Sequence, residues 1–230
     1  ALVGLNWRLA PAELERQAAV DAPAVTIGLE SMLSEVELGP VIAVPADGPA
    51  PWADRPRGEA LEPLPDDPTI MFFTSGSTGE PKAVRISRRS IDLAVSESTA
   101  FTFTAGDRIL VVPPQFHLAG ATWCQYGLLY GVTQYYTADT SPAGLVRALA
   151  EPRITHAVMV PALLHMIVGE LQANPIDLPH LADIAYGASP ISAPLLRDLT
   201  NVLPCRFTQV YGLSESGGAI VELPPEDHFP

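Results

Sequence analysis

The chain has 230 residues, with 13 Lys+Arg against 26 Asp+Glu and a net charge of −13. So acidic a balance excludes nucleic acid and anionic membrane surfaces as expected partners, because their phosphates call for a basic footprint. At 47% hydrophobic and 17% charged residues, disorder of the whole is excluded, and the length suits one large or two small domains.

Taken in chain order, Pro11, Glu13 and Leu14 open a short helix over residues 11–22, and Ala24–Ile27 reads as a strand. Residues 39–68 hold Pro40, Pro45, Pro49, Pro51, Pro56, Pro63, Pro65 and Pro68. That spacing leaves no room for a regular element of normal length and predicts an irregular surface connection. From Thr69 the texture changes. Strands are predicted at Ile70–Phe73, Ala83–Ile86, Ile109–Val112, Thr133–Tyr136, His156–Val160, Asp183–Tyr186 and Arg206–Val210. Helices are predicted near 88–99 and 118–130, then at 142–150, 162–172 and 192–202. Regular alternation of strand and helix means βαβ units, so the fold class is α/β with largely parallel sheets flanked by helices. The division expected is a start at 1–38, the Pro-rich connection at 39–68 and an α/β core at 69–230.

Two cysteines, Cys124 and Cys205, stand far apart without CxxC spacing or a Cys/His partner. They read as small apolar residues rather than disulfide or zinc ligands. The N-terminus has no basic segment leading an apolar one, and no apolar run reaches about 18 residues, so a cytoplasmic compartment is expected.

In parallel α/β sheets chemistry sits in the turns at the carboxyl ends of strands. Three such turns stand out, at 74–82, 187–192 and 211–217. The first reads Thr74-Ser75-Gly76-Ser77-Thr78-Gly79-Glu80-Pro81-Lys82. Small residues let backbone N–H groups converge, hydroxyls add donors and the ammonium adds a mobile charge, which together suit a polyphosphate. Lys82 is the only lysine of the chain; the other twelve basic residues are arginine. A Walker A loop fails on spacing, since Gly76 and Gly79 are three apart and Pro81 precedes the lysine. A GxSxG nucleophile elbow fails too, because Gly212-Leu213-Ser214-Glu215-Ser216 ends on serine.

The nine residues from Thr74 to Lys82 resemble the phosphate-binding signature of the adenylate-forming (AMP-binding) superfamily, which holds acyl-CoA synthetases, peptide-synthetase adenylation domains and luciferases. Gln209-Val210-Tyr211-Gly212-Leu213-Ser214-Glu215 is similar to the family's YGxTE signature, with serine for threonine at Ser214. The resemblance implies that Tyr211 packs on adenine, that Ser214 bonds the α-phosphate and that Glu215 holds Mg²⁺, with Gly212 in the nucleotide site. Gly187-Ala188-Ser189-Pro190 resembles the GGAP segment whose backbone lines the nucleotide and acyl pockets, with Ala188 in place of the commoner second glycine. Pro113-Pro114-Gln115-Phe116-His117-Leu118-Ala119-Gly120 resembles a PxFHxxG segment, which implies that His117 borders the substrate carboxylate. His156, His165, His180 and His228 show no ligand spacing and read as structural or exposed. Leu5-Asn6-Trp7-Arg8-Leu9-Ala10-Pro11-Ala12-Glu13-Leu14 resembles a stretch of acyl-CoA synthetases and favours them over peptide-synthetase domains.

The resemblance covers essentially the whole chain and implies the partial large N-terminal domain of the adenylate-forming fold. It implies ATP, Mg²⁺ and CoA, and a carboxylic acid, fatty in class, that is converted to acyl-AMP and then to a thioester. A fatty acyl-AMP ligase or a peptide-synthetase adenylation domain is the alternative within the superfamily; a non-catalytic nucleotide-binding module is the alternative outside it. Further expectations are that a C-terminal lysine-bearing domain and residues before Ala1 are absent, and that the chain alone has little ligase activity.

Overall fold

The computed structural model describes residues 1–56, 58, 64–75, 81–96 and 101–228, with backbone only for Ser75 and Val95. It divides into two compact units, 1–89 and 90–230.

In the first unit, β1 (Leu2–Val3) is followed by α1 (Pro11–Asp21), β2 (Thr26–Leu29), α2 (Glu30–Leu33) and β3 (Val41–Val44). Then come β4 (Pro68–Ser75) and β5 (Pro81–Ser87). Helix α1 opens with Pro11, whose fixed φ suits the first turn, and Ala22 ends it in a left-handed conformation at φ 40°. Leu14 and Ala18 bury its inner face against Leu38. Strands β2 and β3 pair in parallel, which corrects the irregular reading of the Pro-rich stretch: Val41–Val44 is a strand fitted between Pro40 and Pro45. A second sheet has the order β1-β4-β5, with β4 and β5 antiparallel.

The second unit takes in most of α3 (Arg88–Ser96), then β6 (Arg108–Val111), α4 (Leu118–Leu129) and β7 (Thr133–Tyr135). The chain continues through α5 (Pro142–Leu149), β8 (Ile154–Met159), α6 (Pro161–Ala173), β9 (Asp183–Gly187), α7 (Ala193–Val202), β10 (Arg206–Leu213) and β11 (Gly218–Leu223). Short 3₁₀ turns sit at Ser214–Ser216 and Pro225–Asp227. Helices α5, α6 and α7 each carry proline in the first two positions. Ser141 and Ser192 cap two of them, accepting from Gly144 N at 3.1 Å and Leu195 N at 3.4 Å.

The strand order is β11-β10-β9-β8-β6-β7, parallel throughout except for β11. Every residue of β9 is buried, as befits a strand covered on both faces. One face packs Leu110, Ile154, Ile184 and Tyr186 against α5, α6 and α7, including Leu145, Leu164 and Leu199. The other packs Ile109, Val158 and Ala185 against Trp123 and Tyr126 of α4, with Phe101. Because β6 feeds α4 on one face and β8 feeds α6 on the other, the winding reverses between these neighbouring strands. That is where α/β sheets open a crevice at their carboxyl ends. Among the described residues, no helix is long and apolar enough to cross a membrane.

Candidate functional site

Strand β10 runs further than its sequence suggests. Tyr211 and Gly212 lie on the strand itself, not in the turn after it, and only Ser214–Ser216 form the turn. The strand bends at a bulge between Tyr211 and Gly212. A Cβ at Gly212 would collide with the Gly218 carbonyl, so this glycine is required by the return into β11 whatever binds nearby. Gly217, at φ 75°, reverses the chain. Ser216, which sequence reasoning passed over, clamps the turn: its Oγ accepts from Leu213 N at 3.0 Å and lies 2.7 Å from Leu213 O and 2.8 Å from Gly218 O. Tyr211 and Glu215 are left exposed and Ser214 half-buried.

The neighbouring turn leaves β9. Gly187 is opposite Val210 in register, and a Cβ there would collide with the Val210 carbonyl. Ala188 follows at φ 65°, a left-handed conformation costing a residue with a Cβ about 1–2 kcal/mol. Ala188, Ser189 and Pro190 are exposed. His117, at the end of the segment leaving β6, is the exposed N-cap of α4. Its N–H donates to Pro114 O at 3.0 Å, and Gly120 lets the helix start close to the Pro113 and Pro114 carbonyls, where a Cβ would collide. The structure thus brings Gly187–Pro190, Tyr211–Glu215 and His117 to one edge of the six-stranded sheet, since β6, β9 and β10 run in parallel.

The residues from Thr74 to Lys82 belong to the first unit. Thr74, next to last in β4, stands directly opposite Lys82 of β5, so the two side chains share a face of the antiparallel pair, and Lys82 is exposed. Gly76, Ser77, Thr78 and Gly79 lie outside the described residues, as does the side chain of Ser75.

In the second unit a cleft of about 510 Å³ opens between α3 and β11, where Leu93 and Ala94 face Ser216, Ala219, Ile220 and Glu222. Among the described residues, no group of three or more His, Cys, Asp or Glu could hold a metal. A lone exposed carboxylate beside a hydroxyl nevertheless fits Mg²⁺, which keeps its waters and uses one or two carboxylates together with substrate phosphates. Glu215 and Ser214 form such a set.

At the opposite edge, His156, Asp183 and Arg206 stand in register on β8, β9 and β10. Arg206 Nη2 donates to Asp183 Oδ2 at 2.7 Å, and His156 Nε2 lies 3.7 Å from the same oxygen. Burial holds the imidazole below its ordinary pKa of 6.5, partly opposed by the Asp183 and Asp107 charges. The reading of His156 as structural holds. Cys124 and Cys205 are free, half-buried thiols rather than fully buried ones; burial pushes Cys205 up to about 12.

The family model described as AMP-binding enzyme matches residues 1–230. The chain belongs to the AMP-binding enzyme family. It is 33% identical to a fatty acid–[acyl-carrier-protein] ligase of Streptomyces coeruleorubidus over all of this chain and 47% of that protein. It is 32% identical to another of Mycobacterium marinum, over 96% of this chain and 45% of that protein. This AMP-binding chain therefore spans about half the length of the curated relatives it matches. Among solved structures, an amide bond synthetase of Marinactinospora thermotolerans superposes with a TM-score of 0.82 at 25% identity, covering 98% of this chain and 48% of that one. The α/β fold is that of adenylate-forming enzymes.

Proposed function

We propose that this AMP-binding chain carries the ATP site of a ligase that activates a carboxylic acid, fatty in class, as its acyl-AMP. The observation that supports this best is that the 187–190 turn and the 211–215 segment lie at the ends of neighbouring strands, presenting the ring of Tyr211, the hydroxyl of Ser189 and the carboxylate of Glu215 outward. In the reaction a carboxylate oxygen attacks the α-phosphorus of ATP, the bond to the bridging oxygen breaks, and pyrophosphate leaves with the electron pair. Thr74, Ser75, Ser77, Thr78 and Lys82 hold the β- and γ-phosphates, where negative charge grows. Tyr211 lies along the adenine, the Gly187–Pro190 backbone borders it, Ser214 donates to the α-phosphate, and His117 borders the acid's carboxylate. Glu215 holds Mg²⁺, which when bound neutralises phosphate charge that would otherwise meet a chain of net charge −13.

The second step transfers the acyl group to a thiol: sulfur attacks the carbonyl carbon and AMP departs. CoA is the acceptor in the first reading. The names of the two fatty acid–[acyl-carrier-protein] ligases among the relatives favour a second, in which the thiol is carried by a protein. To test both, a protein that carries this chain at the full length of its curated relatives is given ATP, Mg²⁺ and saturated acids of graded length, and pyrophosphate is followed; free CoA and a carrier protein are then compared as acceptors. Acid-dependent pyrophosphate release supports activation. ATP binding without release at any chain length overturns it in favour of a non-catalytic nucleotide-binding module.

A further inference from the structure

The phenol of Tyr186 is fully buried at the end of β9, immediately before the Gly187–Pro190 turn. Its Oη lies 3.0 Å from Nε2 of His228, with the rings edge to face at 5.7 Å. The other ring nitrogen, His228 Nδ1, lies 2.9 Å from the Pro224 carbonyl. A carbonyl only accepts, so Nδ1 donates to Pro224 O, and with the proton on Nδ1 the other ring nitrogen, Nε2, accepts from the Tyr186 hydroxyl. Burial pushes the phenol up to about 12, which keeps it a donor. Asp227 N also donates to Pro224 O at 3.2 Å, so the imidazole is seated on a closed turn. The chain beyond β11 is thereby tied back to β9, past the intervening β10.

The tie falls beside a strained backbone. Ala188 holds φ 65° with its side chain exposed, and such a conformation persists where its flanks are fixed. On the far flank, Ser192 caps α7. On the near flank the polar anchor is Tyr186. We propose that the Tyr186–His228 pair is a positioning device for the 187–190 turn, holding the backbone that borders the nucleotide in its binding geometry. His228 is then a positioning residue acting through Tyr186. The inference rests on the ATP reading and adds to it a residue that shows no ligand spacing in the sequence.

The test uses Tyr186→Phe, which keeps the ring, and two changes at His228. Glutamine reaches as far as Nε2 and can still accept from Tyr186; asparagine reaches only as far as Nδ1. Hydrogen exchange at Ala188, Ser189 and Ile191 is read alongside AMP affinity by calorimetry and thermal midpoint. Tyr186→Phe and His228→Asn are each expected to speed exchange in the turn and weaken AMP binding about fivefold, the effect of one hydrogen bond, with exchange in α6 unchanged. His228→Gln should stay near the parent in both readouts, and the Tyr186→Phe/His228→Asn double variant should be no worse than either single change. A lowered midpoint with unaltered exchange in the turn would mean that the pair only packs, and additive effects in the double variant would equally overturn the proposal. Should the parent protein bind no AMP, the nucleotide reading fails while the exchange measurement still decides whether the pair positions the turn.

Discussion

At the amino ends of β8, β9 and β10, His156, Asp183 and Arg206 turn toward one another, and the first two side chains are 3% and 2% exposed. At the carboxyl ends of β9 and β10, Ser189, Tyr211 and Glu215 are exposed, Tyr211 at 56%. One sheet thus carries two polar clusters with opposite logic. In the first, the protein supplies the partner for each charge. In the second, side chains are set on turns fixed by backbone needs, such as Gly212 against Gly218 O, and are left facing outward. Polarity alone therefore does not mark a site; the function proposed above rests on polar groups left exposed rather than on those paired inside.

Breaking the inward cluster should have the largest effect. Arg206→Ala leaves the Asp183 carboxylate buried without its guanidinium. We expect a loss of about 3 kcal/mol by urea unfolding, the lower end of what breaking a buried pair costs, since Arg206 is itself largely exposed. ATP affinity per folded molecule should not change. Arg206→Ala combined with Asp183→Leu should recover most of the loss, and failure to recover would mean that Arg206 stabilises by something other than the buried charge.

Lys82→Ala addresses the outward-facing chemistry. Losing a charged phosphate partner should weaken ATP binding by about 1.5–3 kcal/mol in calorimetry, with the unfolding midpoint unmoved. Unchanged affinity would remove Lys82 from the phosphate site.

The inward cluster also has a pH signature. His156 is held neutral by burial, with Asp183, Asp107 and Arg206 around it, so its folded pKa lies below the ordinary 6.5. As pH falls below that value the unfolded chain takes up the proton first. The contribution of His156 is therefore complete above about pH 6.5 and is lost as pH falls through the window down to the lower folded value. Urea midpoints between pH 7.5 and 5 should fall more steeply for the parent than for His156→Gln. Parallel curves would show that the imidazole is as easily protonated folded as unfolded.

The outward cluster was more legible in the sequence than the inward one, for a physical reason. Its residues are close together along the chain, so Thr74–Lys82, Gly187–Pro190 and Tyr211–Glu215 could be named from consecutive letters. The alternation that builds the parallel sheet was equally local. Asp183 and Arg206 meet only through strand register, and Tyr186 and His228 are 42 residues apart, so neither pairing leaves a mark in any window of sequence. Short elements were lost for a related reason. β1 has two residues, and β3 has four, enclosed by prolines that normally argue against a strand. β11 was hidden because Tyr211–Leu213 read as a turn when they prolong β10, and the antiparallel return follows only from that extension.

The smallest expected effects separate strain that serves a ligand from strain that does not. Each sheet edge holds one residue with a Cβ in the left-handed region: Arg153 at φ 70° just before β8, and Ala188 at φ 65° just after β9. Both are exposed, so neither is fixed there by packing of its own side chain. Glycine removes the conformational penalty of about 1–2 kcal/mol at either position but gives back about 0.5–1 kcal/mol in unfolded-chain freedom. Arg153→Gly and Ala188→Gly should therefore each raise stability by roughly 0.5–1 kcal/mol in urea unfolding. Their effects on AMP binding should differ. A turn that glycine has loosened must be ordered again when the nucleotide arrives, so Ala188→Gly should weaken AMP about twofold to fivefold while Arg153→Gly leaves it unchanged. Equal effects at the two positions would mean that the 187–190 turn is strained for the sake of the chain's course into α7, and that the nucleotide gains nothing from its rigidity.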